Sequence, residues 1–418
     1  MEKKIKVLTI SDHPLSPSGV GTQTKYMIEG LLKTGNYEVV SLGGAIKHEK
    51  YEPMKTEEWG DDWVIYPVDG YGNPEIIRSV LRNERPDIFW FMTDPRFFGW
   101  LWSMEDEIRP LLPMVYYHVW DNHPAPKFNR VWYDSTDVIV TISKLTDDIA
   151  NIVAKKAEVI HVPHTVNTEA FNKLPEDRVR TFKKENFLKD ADKMVFFWNN
   201  RNARRKQSGT LIFWFKEFLD RVGHDKAALI MHTDPKDVHG QDLEAIIYEL
   251  ELTNGQVLLS NTKVPAEGLA LMYNMSDCTI NISDAEGFGL STLESLACET
   301  PIIVNMTGGL QEQVTDGENW FGFGIEPCSK AVIGSQEIPY IYEDRISGDE
   351  FVDTLEKFYN LSEEERASMG AAGRQHVLDN YGFQDYENRW NEVLTKIHEK
   401  YGSWENRKNY ERWRVERL

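Results

Sequence analysis

Twice along the chain, short apolar runs rich in Val, Ile and aromatic residues alternate with longer segments of helical period. Such runs lack the polar alternation of a one-sided sheet, so each reads as a strand covered on both faces, joined to the next by a crossover helix. The first series is Ile5–Ile10, Val39–Leu42, Trp63–Tyr66, Asp87–Met92, Met114–Val119, Asp137–Ile142 and Val159–Val162. The second is Met194–Trp198, Ala227–His232, Gln256–Ser260, Asp277–Ile282 and Pro301–Val304. Two doubly wound α/β domains follow, and 418 residues are enough for both. We expect a first domain over 1–172, a polar linker over 173–193 containing Pro175, a second domain over 194–382, and C-terminal helices over 383–418. Helices are expected at Thr22–Lys33, Phe351–Tyr359, Glu363–Leu378 and Gln384–Lys400.

Two facing domains of this kind bind ligands in a cleft beyond the carboxyl ends of their strands. Composition narrows the ligand. The net charge of −20 repels polyphosphate chains and disfavours general nucleic-acid coating, but leaves room for a local phosphate site. Cys278, Cys298 and Cys328 have neither zinc nor redox spacing and suit a reducing, cytoplasmic setting. The apolar run near the N-terminus breaks at Ser11-Asp12-His13-Pro14, too early for a signal peptide. No run is long enough for a membrane span, while peripheral docking on a membrane stays open.

Chemistry should therefore sit on strand-to-helix loops. In Ser283-Asp284-Ala285-Glu286-Gly287-Phe288-Gly289-Leu290, a strand passes through a glycine turn into a helix carrying Leu293, Leu296 and Ala297 on its buried face. The helix start offers free N–H groups and a positive dipole end to a diphosphate. Glu286 and Glu294 flank that point and can accept hydrogen bonds from hydroxyls on either side of it. The alternative is an ordinary strand–turn–helix with one glutamate at the dipole and one exposed. After the first strand of the same domain, Arg201, Arg204, Arg205 and Lys206 place four cations in six positions, a positive patch for a diphosphate or else a solvated face. In the first domain, Gly19 and Gly21 lie in a small-residue loop before a helix. That loop has neither the G-x-G-x-x-G spacing of a dinucleotide fold nor the lysine of a P-loop.

Together these residues resemble the retaining nucleotide-sugar glycosyltransferases of the GT-B fold, in the large family four group that includes bacterial mannosyl- and glucosyltransferases. The resemblance rests on Glu286-x7-Glu294, on the following Pro301-Ile302-Ile303-Val304 and Gly308-Gly309, and on Arg201-x4-Lys206. The Gly19/Gly21 loop and the connector His161-Val162-Pro163-His164-Thr165-Val166-Asn167 also carry it. Glu299 stands where the family usually has glycine, and His164-Thr165 where it has Asn-Gly. The resemblance implies that Arg201 and Lys206 bind the diphosphate and that Glu286 binds donor-sugar hydroxyls. Gly287, Phe288, Gly289 and Leu290 would give backbone contacts, and Glu294 would hold the ribose. His118 would be the first domain's catalytic histidine, touching the donor sugar near its anomeric centre. No cofactor or metal is implied, and the donor is expected to be a UDP- or GDP-linked hexose.

Asp94, Arg96, Asp121 and Asn122, on loops after two first-domain strands, are candidate contacts for a hydroxyl acceptor; local capping and turn bonding is the alternative. That acceptor would be a glycan, a lipid-linked or small molecule or, on a less direct reading, modified DNA. Phe97, Phe98, Trp100 and Trp102 offer stacking surface but read mainly as core. His118, Asp121 and His123 lack the spacing of a metal site, and Asp190-Ala191-Asp192 precedes a strand where a metal-binding D-x-D would follow one. The aromatic and basic tail from Trp404, with Tyr410 and Trp413, is expected to return to the first domain; a membrane- or DNA-contacting helix is the alternative. A nucleotide-sugar epimerase and a non-catalytic sugar-binding module are the competing functions.

Overall fold

In the computed structural model, which describes residues 3–187 and 193–411, every expected run forms a strand. The chain divides into two units. The first holds the chain up to His164, Ser335–Tyr340 and the chain from Gln384 onward; the second holds Thr165–Gly334 and Ile341–Phe383.

The first unit contains β1 (Ile5–Asp12), β2 (Tyr37–Gly44), β3 (Met54–Lys55), β4 (Trp63–Pro67), β5 (Ile88–Met92), β6 (Met114–His118), β7 (Val138–Thr141) and β8 (Glu158–His161). They form one sheet in the order β3-β4-β2-β1-β5-β6-β7-β8. All pairs are parallel except β3 with β4, and Val7 lies opposite Val39 on one side and Ile88 on the other. Every residue of β5, β6 and β7 is buried, as expected for strands with helices on both faces. The first helix begins at Gly19, earlier than the expected Thr22, because the Ser18 hydroxyl accepts the Gly21 N–H and caps it. Its Gly30 lies against the last long helix, Phe383–Tyr401: a Cβ there would stand 2.8 Å from Glu387 Cγ.

That last helix buries Tyr386, Trp390, Val393, Leu394 and Ile397 along one stripe. Trp390 is fully buried and meets Trp90 and Tyr117 edge-on at 6.0 and 4.9 Å. Beyond it, Ser403 Oγ donates to Asp87 (2.7 Å), Trp404 Nε1 to the Pro86 carbonyl (2.8 Å) and Arg407 to Asp137 (2.9 Å). The tail thus belongs to the first unit as far as it is described; Trp413 lies outside the described residues.

The second unit contains β9 (Met194–Asn199), β10 (Ala227–His232), β11 (Val257–Ser260), β12 (Cys278–Asn281), β13 (Ile302–Asn305) and β14 (Gly322–Ile325). Their order, β11-β10-β9-β12-β13-β14, is all parallel and reverses direction between β9 and β12. Phe196, Phe215, Phe218, Phe351 and Phe358 dominate the core on one face. A two-stranded antiparallel ribbon, β15 (Ser329–Ile333) and β16 (Ile341–Arg345), follows the sheet. The helices Gly348–Tyr359 and Glu363–Asn380 come next, the second started by a Ser362/Glu365 capping box.

Two expectations about organisation need correction. The units divide at His164/Thr165, inside the expected connector and before the expected boundary at 172. The expected linker 173–193 carries a helix, Glu176–Asn186, that belongs to the second unit. None of its residues is buried, which is why its composition reads as a linker. Asp190 and Asp192 lie outside the described residues. Glu299, where the resemblance has glycine, keeps a left-handed backbone (φ 62°), and its carbonyl would stand 2.0 Å from any Cβ on Gly370.

Candidate active site

The strand order reverses between β9 and β12, and the carboxyl ends of the strands at such a reversal are the usual ligand position in an open parallel sheet. The loop after β12 is shaped by glycines contributed from β13. Gly308 (φ 55°) lies so close that an added Cβ would stand 1.7 Å from the Glu286 carbonyl oxygen. Gly309 donates its N–H to that oxygen (3.0 Å), and a Cβ on it would stand 2.6 Å from Phe288 Cα. Gly289 (φ 95°) forms the N-cap of the helix Leu290–Ala297, and no side chain caps that end. Gln313 Nε2 donates to the Phe288 carbonyl (2.8 Å), and Thr292 Oγ1 to the Gly289 carbonyl (2.8 Å). The turn is therefore rigid, and it leaves the helix's first N–H groups for an anion.

The loop after β9 is bonded to this turn. The Asp284 N–H donates to the Arg205 carbonyl (2.8 Å), and the Arg205 guanidinium donates to the Ala285 carbonyl. Gln207, in the left-handed region (φ 56°), donates to Asp284. Lys206 Nζ and Glu286 Oε2 form an ion pair whose side chains are only 10% and 11% exposed. Asn281 Nδ2 also reaches Glu286 Oε2 (3.4 Å). Burial pushes the Glu286 carboxyl up, but Lys206, with Arg205 beside it, outweighs burial and holds it below the ordinary value.

The expected patch of four cations is not bare. Arg201 forms a two-point pair with Asp237 (2.6 and 3.1 Å) and remains exposed. Arg204 forms another with Glu343 of β16 (2.8 and 2.7 Å). Arg345 bridges Glu343 and Asp284, each at 3.3 Å, and the Asp344 N–H donates to the Asp284 carbonyl (2.9 Å). Burial raises the Asp284 carboxyl to about 6 against the opposing pull of Gln207 and Arg345. Glu294, one helical turn into Leu290–Ala297, is partly buried and accepts the Tyr273 hydroxyl on Oε2 (2.7 Å). Burial lifts its carboxyl to about 7, opposed by that hydrogen bond. Phe288 packs its ring edge-on against Tyr381 (5.7 Å), so only its backbone can meet a ligand; Leu290 is half-buried.

In the first unit, Gly19 opens its helix and Gly21 is pressed against His13 and Ser16, where a Cβ would stand 2.7 Å from each. His118 departs from expectation. It is fully buried between Tyr116 and Tyr133, with ring centroids 5.7 and 5.0 Å away, and its Nε2 is 2.6 Å from the Tyr133 hydroxyl. Burial drives its pKa to about 3, so it stays neutral and has no exposed atom with which to touch a sugar. Asp94 caps its own turn, accepting the Arg96 N–H (3.0 Å), and pairs with the Arg96 guanidinium (2.9 and 2.7 Å). Asp121 acts on Arg96 electrostatically, and the Asn122 carbonyl accepts Trp120 Nε1 (2.9 Å). Local bonding thus accounts for Asp94 and Arg96. Phe97 is 52% exposed on Tyr71, Trp100 is half-buried, and Phe98 and Trp102 are interior. Among the described residues no group of His, Cys, Asp and Glu could hold a metal, and no helix is long and apolar enough to cross a membrane.

Residues 179–376, which contain the second unit's arrangement from Arg201 to Arg345, match the family of glycosyl transferases group 1. The chain is a glycosyltransferase of the GT-B fold. Over 289 residues it is 26% identical to a GDP-mannose-dependent alpha-(1-6)-phosphatidylinositol monomannoside mannosyltransferase of Mycolicibacterium smegmatis, covering 66% of this chain and 67% of that one. The next two curated relatives are matched over 45% of their length. Sucrose-phosphate synthase from Thermosynechococcus elongatus superposes with a TM-score of 0.74 at 16% identity, covering 95% of this chain and 100% of that one. HepE of Anabaena, solved in complex with UDP and glucose, gives 0.68 at 13%, covering 94% and 100%.

Sequence reasoning missed several residues that shape this arrangement. Glu343 and Arg345 brace the cationic loop, Tyr273 holds Glu294, and Gln313 fixes the Phe288 carbonyl. None belongs to a spaced motif. Only Gly308-Gly309, already singled out, pointed to the β13 loop.

Proposed function

We propose that the glycosyltransferase moves a hexosyl group from a UDP- or GDP-linked donor to a hydroxyl acceptor, with retention at the anomeric carbon and without a metal. The observation that carries this reading is the buried Lys206–Glu286 pair beside an uncapped helix end. A diphosphate arriving there meets the helix N–H groups and the Lys206 ammonium, while the Glu286 carboxylate accepts hydroxyls of the adjoining sugar. The GDP-mannose dependence of the mannosyltransferase relative and the UDP and glucose held by HepE suit such a site. In the front-face reaction the anomeric carbon–oxygen bond to the diphosphate breaks. The acceptor oxygen bonds to that carbon from the same face, and its proton passes to the departing diphosphate. Lys206, Arg201 and the helix dipole would stabilise the charge that grows on the leaving group. Three unpaired cysteines fit a reducing, cytoplasmic compartment.

The test is turnover of a panel of UDP- and GDP-hexoses. Lys206→Ala and Glu286→Gln should each lower kcat/KM by about 10²-fold or more. Each single change also strands a buried partner, at about 3–5 kcal/mol of stability. The double variant should regain much of that stability and none of the turnover. Wild-type rates in any of the three would defeat the reading, as would EDTA-sensitive activity restored by a divalent ion.

A further inference from the structure

Glu294 can serve a ribose only if its carboxylate is held in one orientation. Three elements of the second unit meet to hold it: β9 ends at Asn199, the helix Ala266–Asn274 carries Tyr273, and the helix Leu290–Ala297 carries Glu294. Asn199 Nδ2 donates to the Tyr273 hydroxyl oxygen (2.9 Å), and the Tyr273 hydroxyl donates to Glu294 Oε2 (2.7 Å). The tyrosine ring is itself immobilised. It is fully buried, meets Phe197 edge-on at 5.1 Å and Phe171 at 6.1 Å, and its backbone carbonyl accepts Thr300 Oγ1 (2.8 Å).

The direction of this chain follows from donor and acceptor counting. The Asn199 amide fills an acceptor position on the phenol oxygen, so the single phenolic proton is committed to Glu294. The carboxylate is then pinned through Oε2, and Oε1 is the oxygen left for a ligand. We propose that Tyr273 is a positioning residue, held by Asn199, whose hydroxyl orients Glu294 to bind the ribose hydroxyls of the donor nucleotide. This rests on the reading of Glu294 as the ribose-binding carboxylate.

The same geometry sets a pH response. Tyr273 and, at the C-cap of Glu294's own helix, Cys298 are the titratable groups beside Glu294; β9 contributes the neutral Asn199. Burial lifts Glu294 to about 7 while the Tyr273 hydrogen bond holds it down. Removing the hydroxyl therefore moves the ionisation of Glu294 to higher pH.

The experiment is calorimetric titration of UDP and GDP, with their 2′-deoxy and 3′-deoxy forms, from pH 5.5 to 8.5. Wild type, Tyr273→Phe, Asn199→Ala and Glu294→Gln are compared. The ratio of ribo to deoxy affinity cancels the titration of the diphosphate itself. Tyr273→Phe keeps the ring contacts and should cut the ribose preference by about tenfold. Its remaining preference should also develop at higher pH than in wild type. Asn199→Ala should shift both in the same direction by less, and Glu294→Gln should abolish the preference and its pH dependence. If Glu294→Gln behaves so while Tyr273→Phe matches wild type in ratio and pH limb, the positioning role is wrong. If Glu294→Gln retains the preference, the ribose reading fails and the proposal with it.

Discussion

A carboxyl held at about 7 is a stability cost the fold carries, and Glu294 shows its sign. Its folded value lies above the ordinary 4.5, so between those two pH values the folded chain binds the proton more tightly than the unfolded chain. The stabilisation is present below about 4.5 and is lost as pH rises towards 7. Glu294→Gln removes this dependence and should raise stability at pH 8 by on the order of 1–3 kcal/mol, with almost no gain at pH 4.5. Urea unfolding at the two pH values checks it; an equal gain at both would rule out titration as the cause. Glu286 with Glu294 and Arg201 with Lys206 could be singled out in the sequence because each pair has a fixed spacing just beyond a strand of the parallel sheet, although Glu294 itself stands one turn into a helix. Tyr273 could not. It lies in the last turn of its helix at an apolar position, where an aromatic residue reads as core, and its hydroxyl becomes informative only when Glu294 is seen 2.7 Å away. His118 failed in the opposite direction. Its place at a strand end was read correctly, but the strand's fully buried register encloses the ring.

Elements that alternate a clear apolar face were found, and those recruited to a polar task were not. Of β16, Ile341 and Glu343 are buried, so its inward positions mix an apolar residue with a carboxylate and the period-two signal disappears. Glu343 is inward because Arg204 and Arg345 neutralise it there. The helix Glu176–Asn186 is missed for a related reason: it has no buried face to imprint on the sequence. The glycine turn was readable, and its tolerance can be predicted. At Gly309 the backbone is in the ordinary right-handed region, so Gly309→Ala acts through contact alone, its Cβ arriving 2.6 Å from Phe288 Cα and oxygen. The Phe288–Gly289 segment must move, and with it the N-terminus of Leu290–Ala297. Nucleotide affinity should fall by about tenfold or more while the folded state persists with a loss of about 1–3 kcal/mol. Calorimetry and urea melts separate the two, and unchanged affinity would show that the turn is not the anion site.

For the whole chain, the sequence order of the domains is simpler than their composition. The first unit is assembled from three stretches, since Ser335–Tyr340 and the chain from Gln384 join a stretch that ends at His164. A reading that moves along the chain finds the last helices but has no period that says which sheet they complete. Aromatic packing joins the last long helix to the sheet: Trp390 enters between Trp90 and Tyr117, and Lys33 pairs with Glu387 at 2.6 Å on the same helix. Trp390 is fully buried and meets Tyr386 of its own helix edge-on at 6.3 Å, so its contribution is mainly packing. Trp390→Ala should then cost about 3–5 kcal/mol, the cost of a large core cavity. That cost should appear where the ring packs. Amide exchange of β5 and β6 should accelerate together, because Trp90 and Tyr117 lie on those strands and lose the same neighbour. Lys33→Ala should cost about 1–3 kcal/mol, more than an exposed pair, since Lys33 is half exposed but its removal leaves the Glu387 carboxylate, only 6% exposed, without that partner. If Trp390→Ala instead left β5 and β6 protected, the C-terminal helix would be an appendage of the first unit and not part of its core.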